Sequence, residues 1–260
     1  MAKAPPLRKA APAVGAFAKH KPVFTPPKIV IVGVEGFGKT TIGASVEGAV
    51  MLMPNKETGY KTLVGAGRVP NIPYLITNTW EETMAALDDM GGAKALVLDE
   101  LTGFEAQCNE YVCRVTKEFS SDWYKFNHYL KGEHLVANGE WARFLVRLEQ
   151  LGILVVALSH FVIAKYPQLD TEGFSRYSSG LGQKYVWPVT RQWADAILYG
   201  SFEIARSDDG RGLGGKERIL HTEHDAIRDG KNRYGMPPVM RMPDEPAEMW
   251  PTIWEAINGA

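Results

Sequence analysis

Short apolar runs recur along the chain, each bounded by turn residues and most followed by a stretch with helical spacing. The run "KIVIV" at 28–32 is β-branched and preceded by Pro26 and Pro27, which suits a buried parallel strand better than a helix. Comparable runs predict strands over 49–53, 73–76, 94–98, 153–158 and 195–199, with more strand around 202–205 and 217–222. A 3.6-residue period predicts helices over 39–46, 80–90, 104–117 and 140–151. In the last of these, Trp141, Phe144, Leu145 and Leu148 form one apolar stripe, as core packing requires. The ending "EMWPTIWEAINGA" predicts a short amphipathic helix docked through Trp250, Ile253 and Trp254. Alternation of this kind implies βαβ units and an α/β fold, a mostly parallel twisted sheet flanked by helices.

Composition divides the chain in two. Residues 1–27 are rich in Ala, Pro and Lys and contain no acid, which marks a disordered basic tail. Residues 28–260 form one domain, with no internal repeat. The segments 161–191 and 206–216 are polar and glycine-containing and are expected as long loops, a class often functional in compact domains. With 29 basic and 30 acidic residues the molecule is not a polycation, so any nucleic-acid binding needs a local patch. Cys108 and Cys113 lack C-x-x-C spacing and are expected as free thiols in a reducing compartment. With no signal peptide and no membrane-length apolar stretch, the expected location is cytoplasmic, with no membrane partner.

The octet "GVEGFGKT" directly behind the first strand changes the picture. It fits G-x-x-x-x-G-K-[ST], with Gly33, Gly38, Lys39 and Thr40 in the fixed places and Val34, Glu35, Gly36 and Phe37 between them. Glycines let the backbone curl until several N–H groups point inward, and the helix that starts near Lys39 and Thr41 adds its positive end. In such a loop Lys39 reaches the β- and γ-phosphates of ATP and the Thr40 hydroxyl binds Mg²⁺. "KALVLDE" supplies the complement, an apolar strand ending in Asp99, placed as a Walker B carboxylate that holds the Mg²⁺ shell. Glu100 follows it and is one candidate base for activating water; otherwise it only opens the next turn. Glu57, beyond the end of the second strand, is the other, because residues past the carboxyl ends of parallel strands gather around the ligand. "LGILVVALSH" ends at His160, where a polar side chain would lie beside the γ-phosphate.

Taken in order, the octet, "PNKETGY", "NTWEETMAALDDMGGAKALVLDE" and the strand ending in His160 resemble the ATPase core of RecA-like recombinases, over roughly 28–240. The chain looks most like the compact phage-encoded RecA-like ATPases that act with single-strand annealing. "KNRYG" at 231–235 is similar to the K-N-R-F-G motif of RadA proteins and the K-x-R-x-G of DnaB-type helicases. The resemblance implies a RecA-like P-loop NTPase core, Glu57 as base, His160 as γ-phosphate sensor, and Lys231 and Arg233 acting across a subunit interface of a homo-oligomer, ring or filament. It also implies single-stranded DNA as partner, with a single-strand DNA-binding protein as a further one, in a bacterial host cytosol. Relatives place a small polar residue where Glu100 stands, and the turn bearing Glu57 is longer than in RecA, so the choice of base stays open.

Two further readings bear on partners. The segment 161–191 mixes the cations Lys165, Arg176 and Lys184 with the aromatics Tyr177 and Trp187, a combination that holds single strands by phosphate attraction and base stacking; "DWYKFNHYLKG" at 122–132 has the same character. The alternative is a flap whose aromatics pack on its own domain. Lys231 and Arg233 alternate and so can point the same way, with no obvious acidic partner nearby in sequence. Three function classes follow: a DNA-dependent ATPase for recombination, annealing or repair; a P-loop kinase of a small metabolite or nucleotide, which would need an arginine-bearing lid that the 206–218 segment could be misread as; and an ATP-dependent adaptor of helicase-loader type.

Overall fold

The β-branched run becomes β1 (Lys28–Gly33), buried at every position. It is central because both of its neighbours are parallel to it: β5 (Leu154–Gln168) on one side and β7 (Ala196–Arg206) on the other. Beyond β5 follow β4 (Ala95–Leu98), β2 (Ala49–Pro54) and β3 (Tyr74–Thr77), all parallel. Beyond β7 the sheet turns antiparallel with β8 (Gly212–His221) and β12 (Val239–Met242). The computed structural model describes residues 24–115, 136–168, 171–206 and 212–259. Within them the expected α/β fold, a mostly parallel sheet flanked by helices, is what the chain adopts.

Two cores lie on the two faces of this sheet, which is why β1 is apolar without alternation. Val30 and Val32 face one core with Leu96, Leu98, Val155 and Ala157, covered by α3 (Trp80–Ala86), α4 (Leu101–Val115), α5 (Trp141–Gln150) and α6 (Val186–Trp193). Trp141 stacks on Trp80 at 6.1 Å and donates its indole N–H to the Thr190 hydroxyl at 2.8 Å. Ile29 and Ile31 face the other core, covered by α1 (Lys39–Ala44), α2 (Gly59–Gly65) and α7 (Pro246–Asn258). Trp250 and Ile253 dock α7 as expected, while Trp254 lies at the margin.

Several expectations need correction. The segment 161–191 is not a loop: β5 runs on past the sheet to Gln168 and returns as β6 (Thr171–Ser179), an antiparallel hairpin, after which α6 forms. The positions of β6 that are buried near its end, Arg176, Ser178 and Ser179, are polar, so the strand lacks the apolar alternation that betrays a strand. β7 and β8 likewise extend into the expected loop 206–216, of which 207–211 lie outside the described residues. Helix α3 ends at Ala86, ahead of Gly91 and Gly92, both with positive φ. Most of the basic tail, and the 122–132 stretch, also lie outside the described residues. Among the described residues no helix is long and apolar enough to cross a membrane.

The stripe on α5 makes a stability prediction. Phe144 is fully buried against Trp80, Phe104 and Trp141, whereas Val146 on the same helix is 50% exposed. Phe144→Ala is expected to cost about 3–5 kcal/mol and Val146→Ala under about 0.5 kcal/mol. Urea unfolding of the two variants beside the wild type measures both.

Candidate functional site

The register of three strands builds the site. Gly33, at the end of β1, lies level with His160 on β5 and Gly200 on β7. The loop that leaves Gly33 turns through Gly36 (φ 75) and Gly38 (φ 104), left-handed conformations that a side chain would strain. Between them Phe37 is fully buried and anchors the loop. Its ring occupies the space above Gly200, where a Cβ would come within 2.3 Å of the ring. The Val34 N–H donates to the Gly200 carbonyl at 3.2 Å. Arg218 on β8 holds the other side, donating its Nε–H to the Phe37 carbonyl at 2.9 Å. Gly43 lets α1 settle on the sheet, since a Cβ there would sit 2.7 Å from Val97.

Above this loop opens a cavity of about 730 Å³ lined by Lys39, Thr40, Glu57, Asp99 and His160 among others. The Lys39 ammonium donates to the carbonyls of Gly33 (2.8 Å) and Val34 (3.2 Å) and lies 3.5 Å from His160 Nδ1. Burial pushes its pKa below the ordinary value, against the opposing pull of Asp99 and Glu100. Asp99 is 3% exposed, and burial raises its carboxyl to about 7 although the Thr40 hydroxyl hydrogen-bonds to it. Its Oδ2 has no hydrogen-bond partner among the described residues. A buried carboxylate oxygen left open beside a threonine hydroxyl is a pair of hard oxygen donors, which fits Mg²⁺.

The two acids are not equivalent. Glu57 lines the cavity, its Oε1 accepting from the Gly59 N–H at 2.8 Å. Glu100 is buried behind Asp99, takes a hydrogen bond from the Thr102 hydroxyl and does not line the cavity.

Other wall residues carry no signal in the sequence. Arg218 ion-pairs with Asp244 at 3.0 Å as well as holding Phe37. Met249 on α7 packs 3.3 Å from where a Gly38 Cβ would stand, and Pro246 and Arg68 complete the enclosure. Arg218 is therefore fixed in the wall.

The remaining expected site residues lie elsewhere. Trp187 is 1% exposed in the core under α6, so it cannot stack on a base. Arg176 is buried and ion-paired with Asp229 at 3.0 Å, joining β6 to β10 (Arg228–Asp229), which also pairs with the short β9 (His224–Asp225). Both are corrected from DNA-contacting to structural positions; composition alone does not say which cations and aromatics of a segment face inward. Lys165 and Lys184 are exposed, Lys184 over the Tyr185 ring, and Tyr177 is half-buried edge-on to Phe161. Lys231 lies on β11 (Lys231–Asn232), paired with the amino end of β7. Its ammonium caps the carboxyl end of α6, donating to the carbonyls of Arg191 (2.9 Å), Gln192 (3.2 Å) and Ala194. Arg233 pairs with Asp195 at 2.8 Å. Both cations thus have partners within their own chain that lie some forty residues away in sequence.

The buried Asp99 makes the site pH-sensitive. An acid raised from 3.8 to about 7 holds its proton more tightly when folded, so without ligand its contribution to stability falls as pH rises through that window. Mg²⁺ needs the carboxylate, so stabilisation by Mg²⁺·ATP is expected to grow over the same window and to level off above pH ~7. Asp99→Asn is expected to flatten both slopes. Thermal melts with and without Mg²⁺·ATP, from pH ~5 to ~8, check it, and an unchanged profile in the variant overturns the assignment.

A family model described as AAA domain matches residues 25–234, a span that runs from just ahead of β1 through Arg233 and leaves α7 outside. No curated protein matches the chain. The match covers well over half of the sequence and contains the phosphate loop, Asp99 and His160, so the chain belongs to the AAA domain family of P-loop ATPases.

Proposed function

We propose that this ATPase is of RecA type, hydrolysing ATP in step with binding single-stranded DNA in recombination, annealing or repair. One observation carries the reading. Strand β5 passes without a break from the core, through His160 beside Lys39, into the hairpin that bears Lys165. A shift at His160 when the γ-phosphate is present or lost would be carried along that strand to the hairpin, a rigid two-state route between two ligands. The helicase-loader reading keeps some support from Ile163, 65% exposed on the same hairpin, since an apolar tip suits a protein partner.

In this mechanism Lys39 leaves the carbonyls of Gly33 and Val34 for the β- and γ-phosphates. Thr40 and Asp99 would hold Mg²⁺, which would supply charge neutralisation at the phosphate oxygens. Glu57, the acid that reaches the cavity, accepts a proton from the water attacking the γ-phosphorus as the bond to the β–γ bridging oxygen breaks. Glu100, bound by the Thr102 hydroxyl, does not line the cavity. Turnover is expected to rise when an oligo(dT) strand is added, to vanish in Lys39→Ala, and to fall about 10²–10⁴-fold in Glu57→Gln with ATP still bound. A steady-state ATPase assay with and without DNA tests this; the same rate at every DNA concentration sinks the DNA coupling.

Arg233 is the cation proposed to act on a neighbouring subunit's ATP in a homo-oligomer. It stands just past the amino end of β7, level with Asp195 and five residues down from Gly200, or about 17 Å from the level of its own phosphate loop. That is the wrong end to serve its own site. Its own side chain is 56% exposed, and the Asp195 it pairs with also has Lys28 as a partner, so the guanidinium can turn to a phosphate without leaving that carboxylate unpaired. Lys231, tied to the end of α6, holds that surface in shape. Arg233→Ala is expected to bind ATP normally and hydrolyse it poorly, and mixing it with Lys39→Ala chains should restore activity at hybrid interfaces. No recovery in mixtures that demonstrably co-assemble excludes action across subunits.

A further inference from the structure

Behind the phosphate loop, on the side away from α7, lies a second cavity of about 520 Å³. Its walls include Phe161, Tyr177 and Phe202, and it shares Glu35 and His160 with the first. That volume is ordinary for a small-molecule site. Two of its aromatic rings already carry a guanidinium: Arg228 lies 5.8 Å from the Tyr177 ring centre and Arg218 5.7 Å from that of Phe202. Ser201 adds a hydroxyl to the lining. Nothing in the nucleotide mechanism uses this place.

We infer that the cavity between His160 and Phe202 is a binding site for a base of single-stranded nucleic acid. Flat rings with guanidinium groups against them are the surface on which bases stack without sequence preference, each stacked base being worth about fivefold to a hundredfold in affinity. An aliphatic side chain would gain nothing from those cations. The cavity also continues past Tyr177, Phe202 and Arg228 into a third, about 690 Å³, which adds Arg241. A sugar–phosphate backbone leaving the stacked base therefore meets Arg228 and then Arg241. Their present partners, Asp225 for the first and Glu203 and Glu217 for the second, are carboxylates at or near the surface with which phosphate can compete. Glu35, exposed at the rim, disfavours a phosphate there, so the strand enters base first on the His160 side. Because His160 faces both cavities, the base and the γ-phosphate meet at one side chain.

This inference rests on the single-stranded DNA reading and refines it, moving the contact from Arg176 and Trp187 to Phe202 and Arg228. Fluorescence anisotropy of a labelled dT oligonucleotide tests it on the full chain. Phe202→Leu, which keeps the space filled but removes the ring face, is expected to lose about fivefold to a hundredfold in affinity, and Phe202→Trp to retain it. Arg228→Gln is expected to lower the slope of log affinity against log salt by about 1. A Phe202→Leu chain that binds as tightly as wild type overturns the site while leaving DNA binding intact; wild-type chain that binds no oligonucleotide overturns both. Loss of self-assembly in Phe202→Leu, at unchanged affinity per assembled chain, would assign the cavity to a second copy and overturn the proposal. dTMP bound as tightly as the oligonucleotide would overturn a strand as the source of the base.

Discussion

The level at which β1 ends relative to its two neighbours governs everything built above it. Gly33 must stand beside both His160 and Gly200 for the loop to curl over Gly200 and for Lys39 to meet the strand of His160. Burial alone does not set that level. In a half-exposed strand a one-residue slip would turn apolar side chains to water, but β1 is apolar on both faces, and Ile29 and Ile31 would trade cores with Val30 and Val32 at little cost. The ends do the fixing. At the lower end Lys28 gives Asp195 both its backbone N–H (3.2 Å) and its ammonium (3.1 Å). At the upper end Phe37 fits only where the neighbouring strand has no Cβ. A strand indifferent to its own register is thus held by one polar and one steric pin.

Charge follows a similar division of labour. Asp229, almost fully buried, is held by Arg176 and by Arg191 at 2.9 Å, so it secures the base of the hairpin as a finished ion cluster. Asp99 is as buried but has only a threonine hydroxyl and a lysine that turns toward backbone carbonyls. One buried carboxylate is complete within the chain. The other is left incomplete, and in that difference a structural acid is told from a ligand-binding one.

What could be read from the sequence was local. The spacing of Gly33, Gly38, Lys39 and Thr40, the apolar strand ahead of Asp99, and the stripe on α5 each lie within a few residues, and each is found where spacing puts it. Glu57 and His160 were legible because parallel strands deliver their carboxyl ends to one place. Gly200, Arg218 and Met249 were not, because their roles exist only through partners more than a hundred residues distant: Phe37, the Phe37 carbonyl and Gly38. The segment 161–191 misled for a different reason. Its cations and aromatics are evenly mixed in sequence, yet the fold turns Arg176 and Trp187 inward and leaves Lys165 and Lys184 outside.

Helix α7 carries two indoles, Trp250 and Trp254, stacked at 5.8 Å, the first of them next to Met249, which packs against the phosphate loop at Gly38. The pair sits on the flank of the cavity, coupled to Gly38 through Met249 and to α1 through Ser45, whose hydroxyl donates to the Pro246 carbonyl at 3.1 Å. A ligand that displaced the loop would therefore change the surroundings of an indole pair that absorbs and emits apart from any added dye. Such an optical gauge would sit in α7, which among the described residues is the helix outside the family's matched span.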